Sequence, residues 1–428
     1  MPHRAALVFL LALAAGLAPA ATEGGLRRDA AGRWQWLREG RPFIALGVGG
    51  GNNLTLAGAI GANTLRTWGA EDLDGLVDGK AFADRARELG LAVVAGLWVT
   101  HERQGMDYTD PAQLQAQRDR ISAEVRRHRD HPAIIAWGLG NEMEGPDRPH
   151  GHEALWRELE VLARIVKAED PSRPVLTTIA GATLAKITDV NRFCPSIDIL
   201  GLNLYGGAPL ATVQLDDAGW DRPFMLTEFG PPGPWEALAT HWGAPIEPDT
   251  GTKAASYLSA CRTALADPRG RCLGVFAFAW GQKQEATATW FGMFLATGEK
   301  TPMVDIVGYA YAGRWPTNRS PMTSRLTAPF ANTTVGPGLE FEVTAQATDP
   351  EGDPLTYEWI VRSESRDRRI GGDAEAAPPD HPECIVGRDG ARVAVRTPAV
   401  PGAYRLFVYV RDGQGGGCTE NFAFRVSP

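Results

Sequence analysis

Trp137-Gly138-Leu139-Gly140-Asn141-Glu142 is the stretch on which the reading of this chain turns. It closes an apolar run that begins at Ala133, and Met143-Glu144-Gly145-Pro146 follows it as a loop. An unbroken apolar run is the pattern of a strand covered on both faces. The end of such a strand delivers an amide, Asn141, and a carboxyl group, Glu142. Phe224-Met225-Leu226-Thr227-Glu228-Phe229-Gly230 has the same form: an apolar strand, a single glutamate, then a Gly/Pro turn. Two such glutamates suggest a carboxylate pair working across one cleft.

Outward from these two segments, apolar runs recur at 44–48, 63–67, 92–98, 134–139, 175–178, 197–203, 224–227 and 273–278. Helical patterns fall between them at 81–89, 111–129, 153–169, 183–191 and 252–266. In 153–169, Leu155, Leu159, Leu162 and Val166 repeat at three-to-four spacing, an amphipathic face. Eight strand–helix alternations over about 270 residues match an α/β chain folded as a (β/α)8 barrel. The segments after Asp216 and after Thr301 are only weakly helical. Upstream, 33–37 and 41–44 flank Glu39-Gly40 and read as a hairpin, with Trp34 and Trp36 as packing residues. Pro, Thr, Ser and Asn accumulate from Trp315 onward, a linker signature over 316–334. Beyond it the helical period disappears, and 339–347, 355–361, 391–397 and 404–411 read as strands. The expected domains are therefore a barrel over 21–315 and a small all-β immunoglobulin-like sandwich over 335–428.

His3 and Arg4 precede an apolar segment, 5–17, that is too short for a membrane span, and Ala18-Pro19-Ala20 fits a cleavage site. Residues 1–20 thus read as a signal peptide. The expected location is secreted or periplasmic, with no membrane insertion after cleavage. A net charge of −8 and a pI near 5.6 argue against a nucleic-acid partner. The five cysteines, Cys194, Cys261, Cys272, Cys384 and Cys418, are too few for a disulfide framework. An oxidising compartment permits bridges; Cys384–Cys418 is the first candidate and Cys261–Cys272 the second, leaving Cys194 as a buried thiol.

In a (β/α)8 barrel the loops at the C-terminal strand ends build the active site. The sequence places Asn52 and Asn53 after the first strand, Arg66 and Trp68 after the second, and Trp98 and His101 after the third. Asn141 and Glu142 follow the fourth, Asn203 and Tyr205 the sixth, Glu228 the seventh, Trp280 and Gln282 the eighth. Retaining glycoside hydrolysis needs two carboxyl groups about 5–5.5 Å apart, one a neutral acid and one ionised. The fourth and seventh strands end opposite each other across a barrel mouth. Asn141 suits a sugar 2-hydroxyl. Tyr205 and Arg66 suit the task of holding Glu228 oriented and ionised. Trp98 and Trp280 offer faces for a pyranose ring, and Asn203 completes the candidate substrate set.

Other residues carry blander readings. Glu144 reads as solvated, and Glu236 and Glu285 as rim residues. His101 is either a subsite residue or a hydrogen-bonded loop histidine. Trp235 and Trp242 either form a sugar platform or pin their loop. Asp349-Glu351-Asp353 reads as a solvated turn in preference to a calcium site. No His/Cys/Asp cluster has catalytic-metal spacing, and Gly47 to Gly51 lacks the Lys-Ser/Thr of a phosphate loop, so neither metal nor other cofactor is expected.

Gly140-Asn141-Glu142 and Thr227-Glu228-Phe229-Gly230 resemble clan A glycoside hydrolases. Trp36-Leu37-Arg38-Glu39-Gly40-Arg41-Pro42-Phe43, running into a Gly-rich turn, is similar to the catalytic barrel of glycoside hydrolase family 2. Families 5, 17 and 72 share the same motif logic. The resemblance implies a retaining mechanism with Glu142 as acid/base and Glu228 as nucleophile. It also puts Arg66, Asn141, Tyr205 and Trp280 at the clan's usual active-site positions. The stretches 347–353 and 410–415 resemble polycystic-kidney-type or cadherin-like modules of secreted enzymes. The expected activity is cleavage of β-linked O-glycosidic bonds in an oligo- or polysaccharide. The alternatives are a β-glucan transglycosylase using the same residues, or a non-catalytic glycan-binding barrel.

Overall fold

The eight apolar runs form eight strands, and these close into one parallel barrel. In chain order they are Ala45–Gly49, Thr64–Arg66, Ala92–Leu97, Ile134–Asn141, Val175–Ala180, Ile199–Asn203, Phe224–Phe229 and Cys272–Ala277. The eighth pairs with the first, so no edge is left open. The structure is a computed structural model that describes residues 25–144, 152–369 and 372–428. The expected signal peptide and the Gly145-Pro146 turn lie outside the described residues. Every residue of the third, sixth, seventh and eighth strands is buried, because helices cover one face and the barrel interior the other.

The helices follow from local chemistry. Pro111–His128 starts with Pro at its first position and Asp110 as cap, whose side chain accepts the Ala112 amide. Glu153–Glu169 buries Leu155, Leu159, Leu162 and Val166 against the barrel. Truncating one of these leucines to alanine costs about 2–5 kcal/mol. Phe82–Glu88, Leu184–Phe193 and Thr250–Leu265 occupy the other expected positions. Of the two weakly signalled segments, the one after Asp216 forms no helix, because the helix of that region, Ala211–Asp217, precedes it and ends there, and the one after Thr301 forms Pro302–Ala312. The second is buried from Pro302 through Gly308, so it has no polar face to generate a period.

At the N-terminal end of the barrel, Trp34–Arg38 and Arg41–Phe43 pair antiparallel, joined by a third strand, Gly25–Arg28. Trp36 packs with Ala45, Val94, Ala136, Leu176, Ile199 and other strand-start residues. The hairpin thus plugs the barrel floor, opposite the strand ends that carry the candidate site.

Two sheets form the C-terminal sandwich. One orders Thr334–Val335, Gly417–Val426, Gly402–Arg411 and Thr356–Ser363; the other orders Glu340–Thr344, Arg392–Arg396 and Ile385–Asp389. Tyr404 donates its hydroxyl to the Val400 carbonyl at 2.9 Å, pinning the entry to a central strand. Residues 316–334, expected as a linker, are packed into the structure. Ser320 donates its amide to Asp305 of the barrel at 2.6 Å, and Leu326 and Phe330 lie in the sandwich core.

All five cysteines are free and buried, so neither expected bridge is present. Cys384 and Cys418 do share the sandwich core, where burial raises both thiols and they pack as small apolar groups. The core is closed by hydrophobic contact across the sheets, and no cross-link is needed.

A buried polar seam joins the two domains. Glu247 of the barrel is ion-paired to Lys253 and accepts from Asn421 of the sandwich at 2.8 Å. Arg405 donates to the Pro245 carbonyl at 2.8 Å and to Glu364 and Asn421. Thr250 donates its amide to Glu420 at 2.7 Å. Buried groups matched in this way fix one relative placement of two surfaces, since any shift strands a charge.

Candidate active site

Both glutamates are delivered by irregularities in otherwise regular strands. In the fourth strand, Gly138 pairs with Leu176 but Asn141 pairs with Thr178, so an extra residue is inserted between them. Gly140 takes φ +72°, and a Cβ there would meet the Met143 side chain at 2.9 Å. Thr177 donates its hydroxyl to the Leu139 carbonyl at 2.8 Å, which satisfies the bulged backbone. Glu142 follows with φ +51°, an uncommon conformation for a residue with a side chain, held by its amide bond to the Thr178 carbonyl. In the seventh strand the register slips between Leu226 and Glu228 against the sixth. The buried Thr227 carbonyl is taken up by Arg66 at 3.0 Å, and the Thr227 hydroxyl donates to Asn203 at 2.8 Å. Bulges re-aim side chains at strand ends, and here they turn both carboxyl groups toward one space.

That space is a cavity of about 1010 Å³ at the C-terminal mouth of the barrel, bordered by Trp98, Asn141, Glu142, Asn203, Tyr205 and Glu228 among others. Arg66 is buried beneath it. One guanidinium nitrogen donates to Glu228 Oε1 at 2.9 Å and the other to Asn141 Oδ1 at 2.7 Å. Trp68 Nε1 donates to the same Glu228 oxygen at 3.0 Å, and the Tyr205 hydroxyl to Oε2 at 2.7 Å. Every polar neighbour of Glu228 in this set is a donor, so it is held as an acceptor with a fixed orientation. Burial and the Glu228 charge push the Tyr205 hydroxyl well above its ordinary range, which keeps it a donor.

Glu142 has a different environment. Among the described residues its side chain accepts from Asn203 Nδ2 at 2.8 Å. Removal from water, and secondly the Glu228 charge, raise this carboxyl group to about 7. Asn203 also donates to Asn141 Oδ1 at 3.2 Å. With its carbonyl oxygen taken by Arg66 and Asn203, Asn141 has its amide nitrogen as the group to offer a ligand. Two carboxyl groups in unlike surroundings, one braced by donors and one made reluctant to ionise, are what paired acid and nucleophile chemistry requires.

The structure brings Arg66, Asn141, Glu142, Asn203, Tyr205 and Glu228 into one network. Trp98 borders the cavity and stacks on His101 at 5.1 Å between ring centres. His101 itself is buried away from the cavity; burial first, and Arg103 second, lower it to about 4, so its ring is neutral. Trp280 borders the cavity but is only 1% exposed, packed edge-on to Phe294. It lacks the open face expected of a sugar platform. Trp235 has such a face: it is 63% exposed at the cavity and meets Tyr205 edge-on at 5.6 Å. Trp242 packs against His241 and does not border the cavity.

Glu144 is not solvated. It is buried 3.1 Å from Lys186 Nζ and accepts the Ala180 amide, bracing the loop behind Glu142. Glu236 turns back to the Gly206 and Gly233 amides, and Glu285 pairs with Lys283 at 2.9 Å. Trp68 and Phe278 had no assigned role in the sequence reading. The spacing of two from Arg66 to Trp68 on an extended segment was the available signal for the first. Asp349 accepts the Glu351 and Asp353 amides, and Glu351 binds Arg319. Among the described residues no group of three or more His, Cys, Asp or Glu is placed to hold a metal ion, and no helix is long and apolar enough to cross a membrane.

The molecule is thus a (β/α)8 barrel with a carboxyl pair in its mouth and a β-sandwich packed alongside. Residues 82–230 match the family described as glycosyl hydrolases family 2, TIM barrel domain. A β-galactosidase of Enterobacter cloacae is 42% identical over 88 residues, which are 20% of this chain and 7% of that protein. A second β-galactosidase of the same organism matches to the same extent. Among solved structures, a β-glucuronidase of Bacteroides uniformis superposes with a TM-score of 0.50 at 14% identity, over 94% of this chain and 48% of that one. The chain therefore spans about half of that structure and a small part of the curated relatives.

Proposed function

We propose that this protein is a retaining glycoside hydrolase that cleaves β-linked O-glycosidic bonds of an oligo- or polysaccharide. The observation that carries the proposal is the unlike treatment of two carboxyl groups in one cavity. Glu228 accepts from Arg66, Trp68 and Tyr205, while Glu142 is raised to about 7. The family match over 82–230 spans both glutamates and supports the same chemistry.

In this reading Glu228 attacks the anomeric carbon while the protonated Glu142 gives its proton to the leaving oxygen. Arg66 and Trp68 hold the attacking carboxylate in line, and Tyr205 restrains its second oxygen. The Asn141 amide nitrogen donates to the sugar 2-hydroxyl, a bond that strengthens in the transition state. When the glycosyl–enzyme ester forms, Glu228 loses its charge and Glu142 is left ionised. Glu142 then removes a proton from water, which attacks the same anomeric carbon and frees Glu228. Residues 1–20 have the layout of a signal peptide, and we propose export to the periplasm or medium; N-terminal sequencing of the mature chain tests this.

A panel of 4-nitrophenyl β-glycosides tests the activity. Glu142→Ala and Glu228→Ala should each lower turnover by roughly 10³-fold or more, with the first product keeping the β-configuration by NMR. Turnover near wild type in either variant, or an inverted product, would falsify the assignment.

A further inference from the structure

The sandwich does more than pack beside the barrel: it supplies one wall of the cavity. Arg368, Arg369, Gly372, Asp373 and Glu375, all from the segment between the strands Thr356–Ser363 and Ile385–Asp389, border the same space as Glu142 and Glu228. Two anchors tie this segment to the barrel. Asp373 is bound by Arg103, which follows the third barrel strand, with contacts at 3.1 and 3.3 Å. Glu375 Oε2 accepts the amide of Ala286, which follows the eighth strand, at 2.7 Å. Ala286 stands at φ +60°, and its neighbour Glu285 borders the cavity. Glu375 therefore fixes a strained turn that presents a cavity residue. At its base the segment is held by Glu364, which pairs with the buried Arg405 of the domain seam.

The position of the anchors gives this arrangement its meaning. In the barrel the eighth strand neighbours the first, the first the second, and the second the third. The two anchors thus flank the ends of the first and second strands. The loops there are short: only residues 50–53 separate Gly49 from the helix Leu54–Ala59, and only 67–70 separate Arg66 from Glu71–Asp74. Loops of that length cannot raise a rim. The sandwich segment thus stands over a low stretch of the barrel's own rim.

We propose that the described residues of this segment, Arg368, Arg369, Gly372, Asp373 and Glu375, form a specificity-determining wall of the catalytic cavity, limiting how far a glycan can extend over the first and second strand ends. The proposal rests on the glycosidase reading above and assigns that site's selectivity to the second domain. Arg103 does not border the cavity, so Arg103→Ala releases Asp373 without removing any lining side chain. The bridge is partly exposed on both sides, so its loss spares the fold.

The test uses the full chain and two substrates: the 4-nitrophenyl β-glycoside that the wild type cleaves fastest, and the same glycoside carrying one further sugar on its non-reducing end. Arg103→Ala, and separately the double variant Asp373→Ala with Glu375→Ala, should shift the ratio of kcat/KM toward the extended substrate by roughly three- to tenfold. Hydrogen–deuterium exchange should rise in peptides covering 98–106 and 281–288 and stay unchanged in the helix Glu153–Glu169. An unchanged ratio in both variants, with the wild type active, overturns this proposal alone. Unchanged exchange at both peptides overturns the docking on which it stands. Failure of the wild type to cleave any glycoside of the 4-nitrophenyl panel overturns the glycosidase reading, and this wall's role with it.

Discussion

Replacing Glu228 by glutamine keeps the shape of the side chain and removes its charge, and Glu142 should respond. The raised position of Glu142, about 7, has burial as its first cause and the Glu228 carboxylate as its second. Two unit charges about 5.5 Å apart at an effective dielectric constant near 20 repel by roughly 3 kcal/mol. That is equivalent to about 2 pH units, and it is an upper limit because Arg66 offsets part of it. In Glu228→Gln the Glu142 carboxyl should therefore titrate lower than in the wild type, and still above an ordinary glutamate because its burial is unchanged. NMR titration of protein carrying ¹³C-labelled glutamate side chains reads this directly. The consequence for the reaction is a handover: once Glu228 is esterified and neutral, Glu142 gives up its proton more readily and becomes a competent base. For the wild type, kcat/KM should decline as pH rises through about 7, because the acid step needs protonated Glu142. A Glu142 signal that stays near 7 or moves upward in Glu228→Gln would refute the coupling.

Tyr205→Phe removes the donor 2.7 Å from Glu228 Oε2 and leaves the ring among Phe278, Phe291 and Trp235. A hydrogen bond to a charged group contributes about 1.5–3 kcal/mol, so kcat should fall roughly 10- to 150-fold with the melting temperature little changed. Gly140→Ala forces a side chain into a left-handed position against Met143. It should cost about 1–3 kcal/mol in urea unfolding and displace Glu142, lowering activity more than stability explains. Glu420 is raised to about 7 by burial at the domain seam. Because its folded value lies above its unfolded one, stability is complete below about 4.5 and declines as pH rises through about 7. Glu420→Gln should therefore stabilise the chain at pH 8 by at most ~3 kcal/mol and have little effect at pH 4.5, as followed by thermal melts.

Much of the architecture was readable because a (β/α)8 barrel writes its strands as doubly covered apolar runs. The two glutamates were readable because each ends such a run. The bulges that aim them were not, since Gly140 in a strand has several meanings and the slip at Thr227 leaves no mark. The burial of Trp280 was not readable: a tryptophan beside a strand end looks the same whether its face is open or packed on Phe294. Glu144 was taken as solvated because its partner, Lys186, lies one helix and one strand further along the chain. Gly417–Val426, the sandwich strand carrying Thr419, Glu420 and Asn421, was missed because its polar residues face the barrel and not water. For the same reason the sandwich looked like an appended module. The seam contacts Pro245–Arg405 and Glu247–Asn421 join residues more than a hundred positions apart, and no local pattern records them.

The identity of the nucleophile decides whether Glu228 and Glu142 divide the chemistry in this way. Incubation with a 2-deoxy-2-fluoro-β-glycosyl fluoride matched to the cleaved sugar, followed by peptide mass spectrometry, should find one glycosyl group esterified to Glu228 and none in Glu228→Gln. A label on Glu142 or Glu285, or turnover of the natural glycoside with no covalent label at any residue, would contradict it.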